Sequence, residues 1–98
     1  MNGDDGYRAL ADPTRREILH LLKDGELPAG AIADQFDISW PSVSRHLGVL
    51  AAAGLVTATR RGQHVVYELV PQAVADLVGE LAELARPAAT RGRARRPG

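Results

Sequence analysis

The feature that most narrows the fold is a change of period at Leu55. Up to Gly54 the apolar residues recur at helical spacing; from Leu55 to Leu69 they alternate, with Gly62-Gln63 at the midpoint. The two periods suit different backbones, so the chain reads as helices followed by a β-hairpin with strands over residues 55–61 and 64–69. Gly at the first central position fits a type II′ turn. That turn fixes a register in which Arg60 faces Val65, Ala58 faces Tyr67 and Val56 faces Leu69 on one mostly apolar side. The other side collects Thr57 with Glu68, Thr59 with Val66 and Arg61 with His64, so a single side is suited to pack on helices.

The helices ahead of it are punctuated clearly. Residues 7–11 make a short helix that ends at Asp12-Pro13, because proline disfavours helical geometry in the residue before it. Asp12 then caps a second helix with Pro13 in its first position, and Ile18, Leu19, Leu21 and Leu22 bury one face until Asp24-Gly25. Residues 28–36 form a third helix with Ile32, Ala33 and Phe36 inward. Ser39 caps a fourth, running to Ala53 and closed by Gly54. Two helices joined by so few residues make a helix-turn-helix. Pro71 opens a last helix carrying Val74, Leu77, Val78, Leu81 and Leu84. The expected class is α+β, mainly α: a winged helix-turn-helix of about five helices and a two-stranded wing over residues 7–86. Residues 1–6 are expected to be a flexible N-terminus and residues 87–98 an Arg-rich disordered tail.

Composition removes several functions. With no Cys there is no disulfide, thiolate nucleophile or sulfur-ligated metal site. No apolar run approaches membrane-spanning length and the N-terminus has no leader pattern, so a cytoplasmic protein is expected. No nucleophile with a base, carboxylate pair or Gly-rich phosphate loop supports an enzyme. Twelve basic and twelve acidic residues balance to zero, yet five Arg lie at Arg86 and beyond. The last ten residues could add salt-sensitive attraction to a polyanion or be inert.

The fourth helix carries the chemistry. Val43, Leu47 and Leu50 form its inner stripe, and Pro41, Ser44, Arg45 and Gly48 form the opposite one, with no acid anywhere along it. An acid-free face of small and hydrogen-bonding side chains can approach DNA closely, and Arg can read guanine in the major groove. Arg45 is the leading candidate reader. Ser39, Ser42 and the helix N-terminus offer hydroxyls and N–H groups to phosphate. His46 either donates to phosphate or packs at the helix border. The hairpin tip, Arg60-Arg61-Gly62-Gln63-His64, is suited to touch backbone or minor groove beside that helix, although a charged tip is also a common soluble turn. Arg15 and Arg16 oppose the dipole of the second helix and so point to DNA phosphate or a partner subunit.

The motifs Ala11-Asp12-Pro13-Thr14-Arg15-Arg16, Ser39-Trp40-Pro41-Ser42-Val43-Ser44-Arg45-His46-Leu47 and Gly54-Leu55-Val56 resemble the ArsR/SmtB family of bacterial winged-helix repressors. Pro28-Ala29-Gly30 with Ile32-Ala33, and Arg61-Gly62-Gln63, resemble the subgroup that includes the sporulation-delaying-protein autorepressor. The resemblance implies a homodimer, joined through its first and last helices, that binds a near-palindromic operator, often its own. Tyr7, Leu10, Leu77, Val78, Leu81 and Leu84 are the interface residues it implies, with packing on the protomer's own core as the alternative for the last helix. Double-stranded DNA is the expected partner, and Ser39, Trp40, Pro41, Ser42, Ser44, Arg45, His46, Arg60, Arg61, Gln63 and His64 the expected contacts. Nucleoid association follows from that reading.

This sequence departs from the family in two places. Many relatives sense metal, but the third helix here has no thiolate and the last has no His with carboxylate pairs. Asp76, Glu80 and Glu83 share a face yet suit a solvated stripe better than a transition-metal site. No metal or other cofactor is expected, and expression level, a sequestering protein or a small ligand at the dimer interface remain open as control. Trp40 stands where relatives more often carry Lys or Gln; it offers an apolar edge to thymine methyls or sugar, or covers the core. The rival reading is a winged helix serving as a protein-interaction module, favoured by the neutral net charge.

Overall fold

The computed structural model describes residues 3–88, and the expected Arg-rich stretch from residue 89 onward lies outside them. Five helices and three strands follow in the order α1 (Gly3–Leu10), α2 (Pro13–Leu22), β1 (Leu27–Pro28), α3 (Ala29–Ala33), α4 (Trp40–Ala52), β2 (Val56–Arg61), β3 (His64–Leu69) and α5 (Pro71–Ala85). This is a mainly helical winged helix-turn-helix.

Local chemistry explains the boundaries. Asp12 caps α2, accepting from the backbone N–H of Thr14 at 2.8 Å and of Arg15 at 3.1 Å. Ser39 caps α4 by accepting from the N–H of Ser42 at 3.2 Å. Gly54, with φ of 78°, ends that region in the left-handed conformation that suits glycine. Gly62, at φ 63°, supplies the positive φ of a primed hairpin turn. The β2–β3 register matches the expected one at all six positions, from Val56 opposite Leu69 to Arg61 opposite His64.

The core is aliphatic and draws on every layer: Ile18, Leu19 and Leu22 from α2, Ile32 from α3, Val43, Leu47 and Leu50 from α4, then Leu55, Val56 and Leu77. The inner stripe of α4 is therefore the one its spacing predicts.

Three elements differ from the sequence reading. The sheet has three strands in the order β1-β3-β2, because Leu27 and Pro28 pair with Tyr67 and Val66. Pro28 was expected to begin α3; instead it occupies an edge strand, where its missing N–H costs no ladder bond. The helix then starts at Ala29 and is only five residues long. Finally, α1 starts at Gly3, four residues before the expected Tyr7, so it includes Asp4, Asp5 and Gly6. Gly6 explains why the helix can sit so close to α5, since a Cβ there would lie 2.7 Å from Cδ1 of Leu77.

Candidate nucleic-acid interface

The outer stripe of α4 is open to solvent along its length: Pro41, Ser44, Arg45 and Gly48 are all exposed, directly behind the buried Val43, Leu47 and Leu50. A Cβ built on Gly48 would meet nothing within 4 Å, so backbone as well as side chains can approach a ligand there. Arg45 has no ion-pair partner among the described residues. Its guanidinium is available for a two-pronged contact with a base edge.

At the front of α4, Ser39 and Ser42 are engaged with each other. The Ser39 hydroxyl donates to Oγ of Ser42 at 3.0 Å while accepting the Ser42 N–H. This pair fixes the start of the helix; the Ser39 hydroxyl spends its one proton on Ser42, and the Ser42 hydroxyl keeps its own for an anionic acceptor at the positive end of α4. Beside them Trp40 is 56% exposed and Ile38 43%. Of the two readings open for Trp40, burial over the core is the one the structure does not show.

His46 is different. It is 7% exposed, the one buried polar side chain among the described residues, and its Nδ1 lies 3.2 Å from Nη1 of Arg15. A guanidinium only donates, so Nδ1 is the acceptor. His46 thus follows the packing alternative rather than facing outward with Arg45. The signal was present in the spacing Val43, His46, Leu50, which places position 46 beside the inner stripe.

Arg15 and Arg16 also require a correction. They do not project from the start of α2; they turn back over α1. Nε of Arg15 donates to the Ala9 carbonyl at 2.7 Å, its Nη2 to the Arg8 carbonyl at 3.1 Å, and Nη1 of Arg16 to the Leu10 carbonyl at 2.7 Å. The last carbonyls of a helix lack intrahelical donors and carry the negative end of its dipole, so two guanidiniums there are favourable. Unfavourable for α2, they stabilise the end of α1.

The wing presents Arg60, Arg61, Gln63 and His64, all exposed. Pleat alternation sends Arg60 and Arg61 to opposite faces. Arg61 forms an ion pair with Glu26, which spends its charge within the protomer, whereas Arg60 has no carboxylate partner among the described residues. Since exposed pairs are worth about 0–1 kcal/mol, phosphate can compete for Arg61, but Arg60 is the cation the wing offers freely.

The remaining expected residues gather at α1 and α5. Tyr7 donates its hydroxyl to Oε1 of Glu80 at 2.6 Å, and that carboxylate, with lesser help from desolvation and Asp4, raises the tyrosine pKa above its usual 10.0. Leu77 is buried within the protomer, against Gly6, and so is not left for a partner. Val78, Leu81 and Leu84 are 58%, 51% and 83% exposed. Asp76 accepts from Gln72, Glu80 from Tyr7 and Glu83 from Arg86, so each carboxylate of that stripe is occupied separately. No helix among the described residues is long and apolar enough to cross a membrane.

Comparison with known proteins agrees with this geometry. Residues 10–58 match a helix-turn-helix domain family. The chain is 49% identical over 63 residues to the transcriptional repressor SdpR of Bacillus subtilis (strain 168), covering 64% of this chain and 70% of that protein. A crystal structure described as a possible transcriptional regulator for arsenical resistance superposes with a TM-score of 0.75 at 34% identity, covering 93% of this chain and 95% of that one. The homodimeric winged helix-turn-helix DNA-binding domain of Mb0332 from Mycobacterium bovis superposes with a TM-score of 0.68 at 33% identity, over 84% of this chain and 76% of that one. An acid-free outward helix, a hairpin bearing a free arginine and these likenesses together place the chain in the ArsR/SmtB family of winged helix-turn-helix transcriptional regulators.

Proposed function

We propose that the protein is a homodimeric repressor that covers a near-palindromic operator in the bacterial cytoplasm, one α4 in each of two successive major grooves. The observation that carries this reading is the exposed stripe Pro41, Ser44, Arg45, Gly48, free of acid and backed by a fully buried one. Arg45 reads a base, and Ser39, Ser42, Arg60, Arg61, Gln63 and His64 hold the backbone. A twofold dimer sets the half-sites about one helical turn apart. Val78, Leu81 and Leu84 supply the apolar surface for the second subunit, with Tyr7 and Leu10 beside them; an exposed apolar stripe of this kind marks an interaction surface. A protein-interaction module would need an acidic or broadly apolar patch at α4; its outer stripe carries no acid, and large exposed apolar side chains are confined to Ile38 and Trp40 at the front of the helix.

Repression of its own gene and independence from metal complete the proposal. The second rests on the absence of Cys from the sequence and on the separate occupation of Asp76, Glu80 and Glu83. The test is genome-wide selection of DNA fragments by the purified protein, repeated with Arg45→Ala and with a chelator present. Enrichment of a palindrome near its own gene, lost in the variant and indifferent to chelation, is the expected result; enrichment without sequence preference overturns it.

A further inference from the structure

A second site lies away from the reading surface. The end of α1, one side of α2, the end of β3 and the first turns of α5 enclose an open groove of about 540 Å³. Small-molecule pockets run from roughly 300 to 1,000 Å³. Its floor is hydrocarbon, from Leu10, Leu19, Leu69 and Val74, while Arg16, His20 and Lys23 edge it along α2 and no carboxylate lines it. Their spacing of four and three residues sets these three groups along one side of the helix.

The charge arrangement is selective. Among the described residues Arg8, Arg61 and Arg86 are paired with carboxylates, and Arg15 is held by the α1 carbonyls and His46. Of the rest, Arg45 and Arg60 belong to the proposed DNA surface, and Arg16 and Lys23 both lie at this groove. The bond from Arg16 to the Leu10 carbonyl uses one of its five N–H donors and fixes the guanidinium at the α1 end. A hydrocarbon floor beneath an uncompensated cationic edge complements a molecule with an apolar body and one anionic head.

We propose that this groove binds a small anionic amphiphile, a hydrocarbon chain ending in a carboxylate, with the chain on Leu10, Leu19, Leu69 and Val74 and the head between Arg16 and Lys23. The site does not depend on the DNA-binding reading. It shares Leu10 with the proposed subunit contact, at the edge where α1 meets the groove, and touches α1 and α5 together, so its occupancy can bias how two reading helices are spaced.

Calorimetry on the full chain with decanoate, below the concentration at which it forms micelles, tests the proposal. Decanol, decyltrimethylammonium and acetate serve as the neutral, cationic and chainless controls. Decanoate should bind saturably, one per chain, with decanol about tenfold weaker, as loss of a charge-assisted contact implies, and with neither decyltrimethylammonium nor acetate binding. Ala75→Trp, which fills the groove from its exposed α5 edge, should abolish decanoate binding with helix content retained by circular dichroism. The double variant Arg16→Gln, Lys23→Gln should reduce decanoate to the level of decanol. No decanoate binding, equal binding of the three head groups, or indifference to both variants overturns the proposal. Conversion of a dimer to a monomer by Ala75→Trp in sedimentation also overturns it, because the groove is then covered by a second copy.

Discussion

Arg15 joins the end of α1 to the interior of α4. Its three nitrogens reach the Ala9 carbonyl at 2.7 Å, the Arg8 carbonyl at 3.1 Å and Nδ1 of His46 at 3.2 Å. Replacing it by Ala strands two helix-terminal carbonyls and a buried imidazole, at a cost of about 1–3 kcal/mol. For a domain of this size each kcal/mol lowers Tm by about 4–8 °C. Arg15→Lys should recover only part of the loss, since an ammonium lacks the planar fork that meets three acceptors. Thermal melts of the three proteins check this; equal Tm for Ala and wild type would refute the role.

On DNA, the two free arginines should behave differently. Arg45→Ala is expected to lose about 1–3 kcal/mol on the preferred operator and to bind variant operators with less discrimination. Arg60→Ala should weaken all sequences alike and reduce the slope of log affinity against log salt by about 0.9. Titrations at several salt concentrations separate the outcomes.

Trp40 should make recognition sensitive to thymine methyls. If its exposed ring and Ile38 face the groove, replacing thymine by deoxyuridine at the contacted step removes one apolar contact, worth about 0.8 kcal/mol per methyl-sized group. Trp40→Ala should bind both operators equally. A wild type that does not distinguish them would assign the tryptophan elsewhere.

These sites were unequally legible in the sequence. The inner stripe of α4 and the hairpin register follow from local rules, the first from helical spacing and the second from Gly62, and both appear as expected. β1 did not, because two residues carry no period; Leu27 and Pro28 are a strand only through pairing with Tyr67 and Val66. The roles of Arg15 and Arg16 were hidden for a related reason. Their partners lie on the preceding helix, and the angle set at Asp12-Pro13 decides whether they reach them. The pairing of Arg61 with Glu26, 35 residues away, is equally invisible to spacing.

The α5 stripe and the core should respond to substitution in opposite ways. Leu81→Glu places a charge on the proposed subunit contact and should give folded monomers in sedimentation with much weakened operator binding. Leu77→Ala instead removes a core side chain and should cost about 2–5 kcal/mol of stability. Monomers from neither variant, with full operator affinity in Leu81→Glu, would move the dimer contact off this helix.

Acid stability should depend on Asp12. Desolvation pushes its pKa up, but the backbone hydrogen bonds from Arg15 and Thr14, aided by the charge of Arg15, outweigh it and the net shift is downward from 3.8. A carboxyl more acidic when folded stabilises the native state above its unfolded pKa, and that contribution fades as pH falls through the lower, folded value. Asp12→Asn can still cap α2 but does not titrate. Wild type should therefore lose more Tm than the variant on acidification below about pH 4, and the gap between them should be constant from pH 5 to neutrality.

The contact of Gly6 with Leu77 ties the beginning of the chain to its end. During synthesis α1 emerges first, yet the surface that receives it is made only when α5 leaves the ribosome. A nascent chain stalled before Pro71 therefore lacks the surface on which its first helix seats, and with it the helix that carries the proposed subunit contact, so α1 docks only once residues 71–85 have left the ribosome.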